Sequence, residues 1–422
     1  MKFAPSLLVL LLVSSTASST ASAFAFQSSA SRAAVPASQR NHRVSFGILH
    51  SSSSPSSATE SEAAVKGEQK TQELGLLTFD LDDTLYPIDR VQSEANDAFV
   101  KAMAKFGYTG LEPEDIVKTG KMIREEMSKT DPIDAATLTH TEIRELAIRK
   151  EMEKIILKRK LQETADDWAT QVESLSPIIV ASAKKWAKNA VSESVVQAVL
   201  SAWEMERHHA AERHLFPEVI DALKQIKKEH PNVIIGAVTD GRANPKLMTF
   251  TLAPYFDFCM SWEDEQGGRK QFFKELDSVD GQADLNWIYE AARHKYAVLK
   301  EASDGLLKKN ADQDGKIPPL TYPDTYDDLA WLHVGDDLAF DVGGSAACGA
   351  KTILVELSKE YGQTAPYRFD TEIDQPSWAT TTPTELIARI KMNEAAKEVV
   401  DKKIVSLEQL PVAINQILNP DY

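Results

Sequence analysis

Cysteine is nearly absent from this sequence: Cys259 and Cys348 are the only two among 422 residues. Two thiols cannot staple a chain of that size, so a disulfide scaffold is excluded and both read as buried free thiols. Acidic residues are missing altogether from the first 59 positions, where the only Lys or Arg residues are Lys2, Arg32, Arg40 and Arg43. No internal repeat is present. The other 363 residues carry 43 bases against 63 acids. That excess repels polyanions and argues against nucleic acid or an anionic membrane as a partner of the folded part, while leaving room for a small phosphate in a local site. With 43% hydrophobic and 26% charged residues the chain is neither disordered throughout nor collagen-like, and its length suits about two or three domains.

The acid-free start has the layout of an address. Lys2 precedes the apolar run 6–13 (SLLVLLLV), too short to span a bilayer but suited to the core of a signal peptide, with Ala21-Ser22-Ala23 as a cleavage site. A Ser- and Ala-rich, acid-free stretch with arginines follows, the composition of a transit peptide. Ala21-Ser22-Ala23-Phe24-Ala25-Phe26 resembles the bipartite plastid-targeting motif of diatoms and related algae. The expectation is a signal peptide over 1–23, a transit peptide and unstructured linker over 24–66, and a plastid destination, with secretion as the alternative.

Four continuous apolar runs, 75–81, 233–239, 330–335 and 350–357, read as strands of a parallel sheet covered on both faces. Helical patterns over 217–228 and 285–299 stand between them. This alternation predicts a doubly wound α/β fold with its chemistry at the C-terminal ends of the strands. Between the first two runs, residues 88–212 hold no strand-like run. They read as amphipathic helices over 91–106, 114–128, 140–158, 163–174 and 180–205, an inserted helical domain. The core is then 74–87 plus 213–422, with 303–328 and 358–384 as surface loops.

The strand ends carry the candidate chemistry. In extended chain Asp80 and Asp82 point to one face, and two carboxylates so close call for a cation, Mg²⁺ being the hard ion that suits them. One such carboxylate can act as nucleophile while the other moves protons. The second run ends Thr239-Asp240-Gly241, where a hydroxyl and free backbone N–H groups can hold phosphoryl oxygens. The third ends Gly335-Asp336-Asp337 with Asp341 beyond it. Lys270, in the loop between them, is placed to neutralise crowded charge. Each motif alone is ambiguous, since Asp83 and Thr84 can simply cap a helix and Asp240-Gly241 can be a turn.

Taken in order, Asp80-x-Asp82-x-Thr84, Thr239, Lys270 and Gly335-Asp336-Asp337-x-x-x-Asp341 resemble the four motifs of the haloacid dehalogenase-like (HAD) hydrolase superfamily, and the helical insertion matches that family's first type of cap. The resemblance implies Asp80 as a nucleophile forming an aspartyl-phosphate, Asp82 as acid and base, and Thr239, with Asp240, Gly241 and Lys270, around the phosphoryl group. It implies Mg²⁺ held by the Asp80 carboxylate, the Asp82 backbone carbonyl and Asp336, supported by Asp337 and Asp341. An acid at position 82 favours a phosphatase over a dehalogenase. The stretches 77–86, 254–258 and His333-Val334-Gly335-Asp336-Asp337-Leu338 are similar to phosphatases of flavin mononucleotide and of 5-amino-6-(5-phosphoribitylamino)uracil. Pyrimidine nucleotides, sugar phosphates, a phosphomutase and a non-catalytic binding protein remain alternatives. The expected partner is a small phosphorylated metabolite.

Other features carry less. His208, His209, Glu212 and His214 have the spacing of a metal site but read as a helix at the hinge of the insertion. The half EF-hand pattern Asn310-x-Asp312-x-Asp314-Gly315 lacks its later ligands. Trp203 and Trp262 read as packing groups.

Overall fold

The computed structural model describes residues 72–263, 287–303, 329–364 and 383–420. Six parallel strands, β1 (Glu73–Phe79), β2 (Ile234–Thr239), β3 (Phe258–Ser261), β4 (Leu329–Gly335), β5 (Lys351–Val355) and β6 (Lys402–Ile404), form one sheet in the order β3-β2-β1-β4-β5-β6. The chain is therefore α/β and doubly wound, as the alternation of runs predicts. Strand β1 lies at the centre, and the order reverses between β1 and β4. This is the switch point at which parallel sheets open a crevice.

Successive side chains of a strand face opposite ways, so each strand feeds two layers. Leu77, Phe79, Leu332, Val334, Ile353 and Val355 pack on one face against the helices Val219–Glu229 and Leu410–Leu418. On the other face Leu76, Val238, Phe258 and Trp331 meet Ile288, Tyr289, Ala292 and Tyr296 of the helix Trp287–Ser303.

Between β1 and the helix Val219–Glu229 that leads into β2, the chain runs through six α-helices: α1 (Ile88–Lys105), α2 (Pro113–Ser128), α3 (Pro132–Thr137), α4 (His140–Asp167), α5 (Pro177–Ala190) and α6 (Glu193–Arg213). They have a core of their own, with Phe99 and Met103 of α1, Ile148 and Met152 of α4, and Val199, Leu200 and Trp203 of α6 at its centre. The boundaries differ from the expected ones at two places. Residues 140–158 and 163–174 are not two helices, because α4 runs unbroken to Asp167 from a capping box in which Thr139 and Glu142 satisfy each other's backbone N–H. Residues 180–205 are not one helix, because the chain is extended at Val191 and Ser192, between α5 and α6. Two strands were not foreseen: β3 has four residues and β6 three, too short to show a period. No described helix is long and apolar enough to cross a membrane. Residues 1–71, 304–328 and 365–382 lie outside the described residues, and with them the presequence, the half EF-hand pattern and most of both expected loops.

Candidate active site

The sheet delivers its acids to the C-terminal ends of its central strands. Strand β1 ends at Phe79, and the Asp80 N–H extends the ladder by donating to the Val334 carbonyl at 2.9 Å. Next door β4 ends at Gly335 and releases Asp336. Asp80, Asp336 and Asp341 each place a carboxylate oxygen within 4.8 Å of the others. Thr239 ends β2 on the far side of β1; it is buried, and its Oγ1 has no hydrogen-bond partner among the described residues.

The turn after β1 gives each acid a different task. Asp83 is in the left-handed region, with φ of 62°, and is fully buried. Its Oδ1 accepts from the Ile88 N–H at the start of α1, and its Oδ2 from the Thr364 N–H, each at 3.0 Å. Asp83 thus clamps the turn and takes no part in the cleft. Thr84 donates to Asp336 Oδ1 at 2.7 Å and aims that carboxylate. Asp82 keeps its side chain 23% exposed in the cleft, where Arg207 of α6 donates to its Oδ2 at 2.6 Å. Among the described residues no hydrogen bond reaches Asp82 Oδ1.

The acids after β4 divide as well. Asp337 caps the following turn, accepting from the Ala339 and Phe340 N–H groups, and pairs with the buried Arg389. Its carboxylate therefore faces away from the cluster. Asp341 Oδ2 accepts from the Asp337 N–H at 2.9 Å, while Oδ1 is approached by Tyr289 Oη at 3.3 Å and His333 Nε2 at 3.4 Å. Behind His333, Thr78 Oγ1 lies 2.8 Å from Nδ1 and itself accepts from Trp331 Nε1 at 2.9 Å. An ionised carboxylate only accepts, so the Asp341 contact calls for a proton on His333 Nε2, while the Thr78 hydroxyl, with one proton, faces both Nδ1 and the Leu332 carbonyl 3.4 Å away.

Burial pushes the Asp80 carboxyl well above the usual carboxylate range, and the charges of Asp341, Asp336 and Asp82 push it further. Burial also works against the charge of Arg207, but Asp82, Tyr86, Glu263 and Asp80 outweigh it and hold the guanidinium protonated. Asp80, Asp336 and Asp341 offer oxygen ligands only, the donor set that suits a hard divalent ion such as Mg²⁺. Their crowding around a carboxyl driven toward its neutral form is the strain that such a cation relieves, so the residues present fit it.

Of the residues singled out in the sequence, the fold brings together Asp80, Asp336 and Asp341, with Asp82 beside Asp80 and Thr239 one strand away. Asp240 is largely exposed and lies 3.4 Å from His140 Nε2. Gly241 presents its carbonyl to Ser261 Oγ at 2.8 Å. Lys270 lies outside the described residues. Sequence reasoning missed Thr84 and His333 as positioning groups, and Arg207 and Tyr289 altogether. Thr84 and His333 had a local signal, their places in the first motif and in the third run. The His208–His214 run ties α6 to the core without gathering into a metal site. His208 Nδ1 lies 2.7 Å from the Glu204 carbonyl, Glu212 accepts from the Phe250 N–H, and His214 meets Glu94.

No family model matches the chain. Among curated proteins, an uncharacterized protein of Saccharomyces cerevisiae is 22% identical over 179 residues, which are 42% of this chain and 49% of the yeast protein. The match thus spans about half that relative's length. Among solved structures, a 2-haloacid dehalogenase from Pseudomonas syringae pv. Tomato is 17% identical with a TM-score of 0.40, covering 82% of this chain and 99% of its own. A HAD hydrolase from Bacillus subtilis bound to magnesium is 14% identical with a TM-score of 0.30, covering 82% of this chain and 100% of its own. A HAD phosphatase from Thermococcus onnurineus is 12% identical with a TM-score of 0.31, covering 81% and 98%.

Proposed function

We propose that this chain is a Mg²⁺-dependent phosphomonoesterase of the HAD type, working through an aspartyl-phosphate on Asp80, with the helices over 88–212 as its cap. The observation that carries the reading is the strand order, which sets Asp80 between two further carboxylates on one side and, on the other, the buried Thr239 hydroxyl, unpartnered among the described residues. A carboxylate cluster suits a cation, and an unspent buried donor suits a phosphoryl oxygen.

Asp80, Asp336 and Asp341, with the Asp82 backbone carbonyl, would hold Mg²⁺, which when bound offsets the negative charge that keeps a phosphate away from a carboxylate. An Asp80 oxygen attacks phosphorus, and the bond to the ester oxygen breaks. Asp82 gives its proton to the departing alkoxide. Its Oδ2 is held by Arg207, which leaves Oδ1 as the oxygen that carries the proton. In the second half Asp82 takes a proton from water, the water oxygen attacks phosphorus, and the Asp80–phosphorus bond breaks to release inorganic phosphate. Thr239 donates to the transferring group throughout, and Lys270 is assigned beside it from the motif order alone.

The test is hydrolysis of a generic aryl phosphate by the Asp80→Asn variant, which should fall by about a thousandfold or more, as loss of a nucleophile does. Unchanged turnover refutes the mechanism. Absence of metal-dependent turnover by the unmodified chain across a panel of phosphate esters favours a binding protein instead. Within that panel, flavin mononucleotide and 5-amino-6-(5-phosphoribitylamino)uracil are the substrates favoured by the sequence likeness, ahead of pyrimidine nucleotides and sugar phosphates. A phosphomutase shows itself by moving phosphate within a sugar without releasing it. The presequence supports delivery to a plastid, which a fluorescent fusion of residues 1–66 tests; secretion of the fusion overturns it.

A further inference from the structure

Helix α6 is tied to the segment of the core that follows β2. Arg242 Nη1 donates to Glu204 Oε1 at 3.0 Å, the Asn244 N–H to His208 Nε2 at 3.2 Å, and the Phe250 N–H to Glu212 Oε1 at 2.8 Å. Residues four apart stack on one side of a helix, so Glu204, His208 and Glu212 are successive turns of a single face. These three contacts fix where the last turns of the insertion sit against the strand ends. Arg207 leaves the helix from this stretch, with its side chain only 3% exposed.

The guanidinium bridges two strand ends. Its Nη2 donates to Asp82 Oδ2 at 2.6 Å, and a Cβ built on Gly241 would lie 3.4 Å from the same nitrogen. Asp82 belongs to the turn after β1, which also carries Asp80, and Gly241 to the turn that Thr239 opens after β2. Strands β1 and β2 pair directly, with Phe79 opposite Ala237, so Arg207 spans the gap that Asp80 and Thr239 flank. Two buried donors border this gap, Arg207 Nη1 and Thr239 Oγ1, and neither meets a hydrogen-bond partner among the described residues. A buried charged donor that makes no bond is costly, and one placed over a phosphoryl site finds its acceptor in the ligand.

We propose that Arg207 is a catalytic residue supplied by the insertion: while Nη2 holds Asp82, Nη1 donates to an oxygen of the phosphoryl group. The proposal rests on the phosphomonoesterase reading for the identity of the ligand. A guanidinium is a planar fork that can serve two anions at once, as a single ammonium cannot. Arg207 keeps its protons throughout the reaction, and the proton taken by the leaving alkoxide comes from Asp82.

Binding of inorganic phosphate to the full chain in Mg²⁺, followed by calorimetry, tests this. Arg207→Met should bind phosphate about tenfold or more weakly, the scale of one charge-assisted hydrogen bond, with Arg207→Lys falling between it and the unmodified chain. Asp82→Asn should bind at least as tightly as the unmodified chain, because it removes an anion that competes for the guanidinium. If Arg207 only orients Asp82, phosphate affinity stays unchanged in Arg207→Met, or drops equally in Asp82→Asn. Either result, or no binding of phosphate by the unmodified chain, overturns the proposal. Should Arg207→Met fail to fold, Arg207→Lys decides, and unmodified affinity in that variant is equally fatal. Turnover of the aryl phosphate by the unmodified chain is read separately. Turnover combined with phosphate binding that ignores Arg207 refutes this inference alone, whereas binding that depends on Arg207 without turnover upholds the contact and refutes the esterase reading.

Discussion

Gly335 stands where no larger residue fits. A Cβ built there would lie 2.2 Å from Asp341 Oδ2, so the glycine makes room for a carboxylate of the cluster. Gly335→Ala should push that carboxylate aside and raise the Mg²⁺ concentration needed for half-maximal activity by about tenfold, the scale of a disturbed supporting contact. An unchanged Mg²⁺ requirement would show that Asp341 does not serve the metal. At Asp80 the same crowding has a thermodynamic consequence. Removing the charge relieves repulsion among four carboxylates, so Asp80→Asn should stabilise the metal-free protein by about 1–3 kcal/mol while abolishing turnover. Thermal melts in EDTA check this. Asp80 and Thr239 were legible in the sequence because each ends an apolar run. Tyr289 was not, because it reaches Asp341 from another element and has no spacing that announces it, and His333, though written in the third run, showed no role until its ring met Asp341.

Among the elements, α6 links the insertion to the candidate site. It packs along α1 in the core of the insertion, and near its end it sends Arg207 into the cleft to hold Asp82. Arg207→Met should lower kcat/KM by about tenfold to a hundredfold, through loss of a charge-assisted contact that orients the acid and base. It should also cost stability, since an acid is left facing the cleft without its partner. A variant with full activity would mean that Asp82 needs no such support. Strand β2 carries a steric constraint of its own, because a Cβ at Gly236 would lie 2.2 Å from the buried Phe258 ring. Gly236→Ala should destabilise the fold by about 1–3 kcal/mol, read as a lower denaturation midpoint. The buried strands β1, β2, β4 and β5 were legible because strands covered on both faces are written as unbroken apolar runs. The edge strands β3 and β6 were not: with one neighbour each and three or four residues, they take their conformation from the sheet rather than from their own pattern.

For the whole molecule, the cluster links metal, protons and stability. The Asp80 carboxyl is pushed up in the folded chain, so without metal its contribution to stability is complete at low pH and is lost as pH rises through that raised value. A divalent cation binds the ionised form, and its stabilising effect must therefore grow with pH. Saturating Mg²⁺ should raise the melting temperature over EDTA by about 2–4 °C or more at pH 8, and by clearly less at pH 5. A difference that is the same at both values would remove Asp80 from the metal site. The charge balance belongs to this scale too. Acids are in excess over residues 60–422, yet the cleft pairs Asp82 with Arg207, so a chain that repels polyanions in bulk still holds a cation beside the strand-end acids.

The parallel α/β sheet, the helical insertion after its first strand, and the acids and hydroxyl at the strand ends could all be read from the order of the residues. These follow from local periodicity and from where apolar runs stop. How the acids divide their contacts came from packing between elements. Asp83 clamps a turn, Asp337 caps another and pairs with Arg389, and Asp341 rather than Asp337 joins Asp80 and Asp336. Tertiary structure also brought Arg207 from 125 positions away onto Asp82. The physical reason is that a strand end specifies where a side chain leaves the sheet, whereas its partner is chosen by packing between elements, which no local pattern encodes.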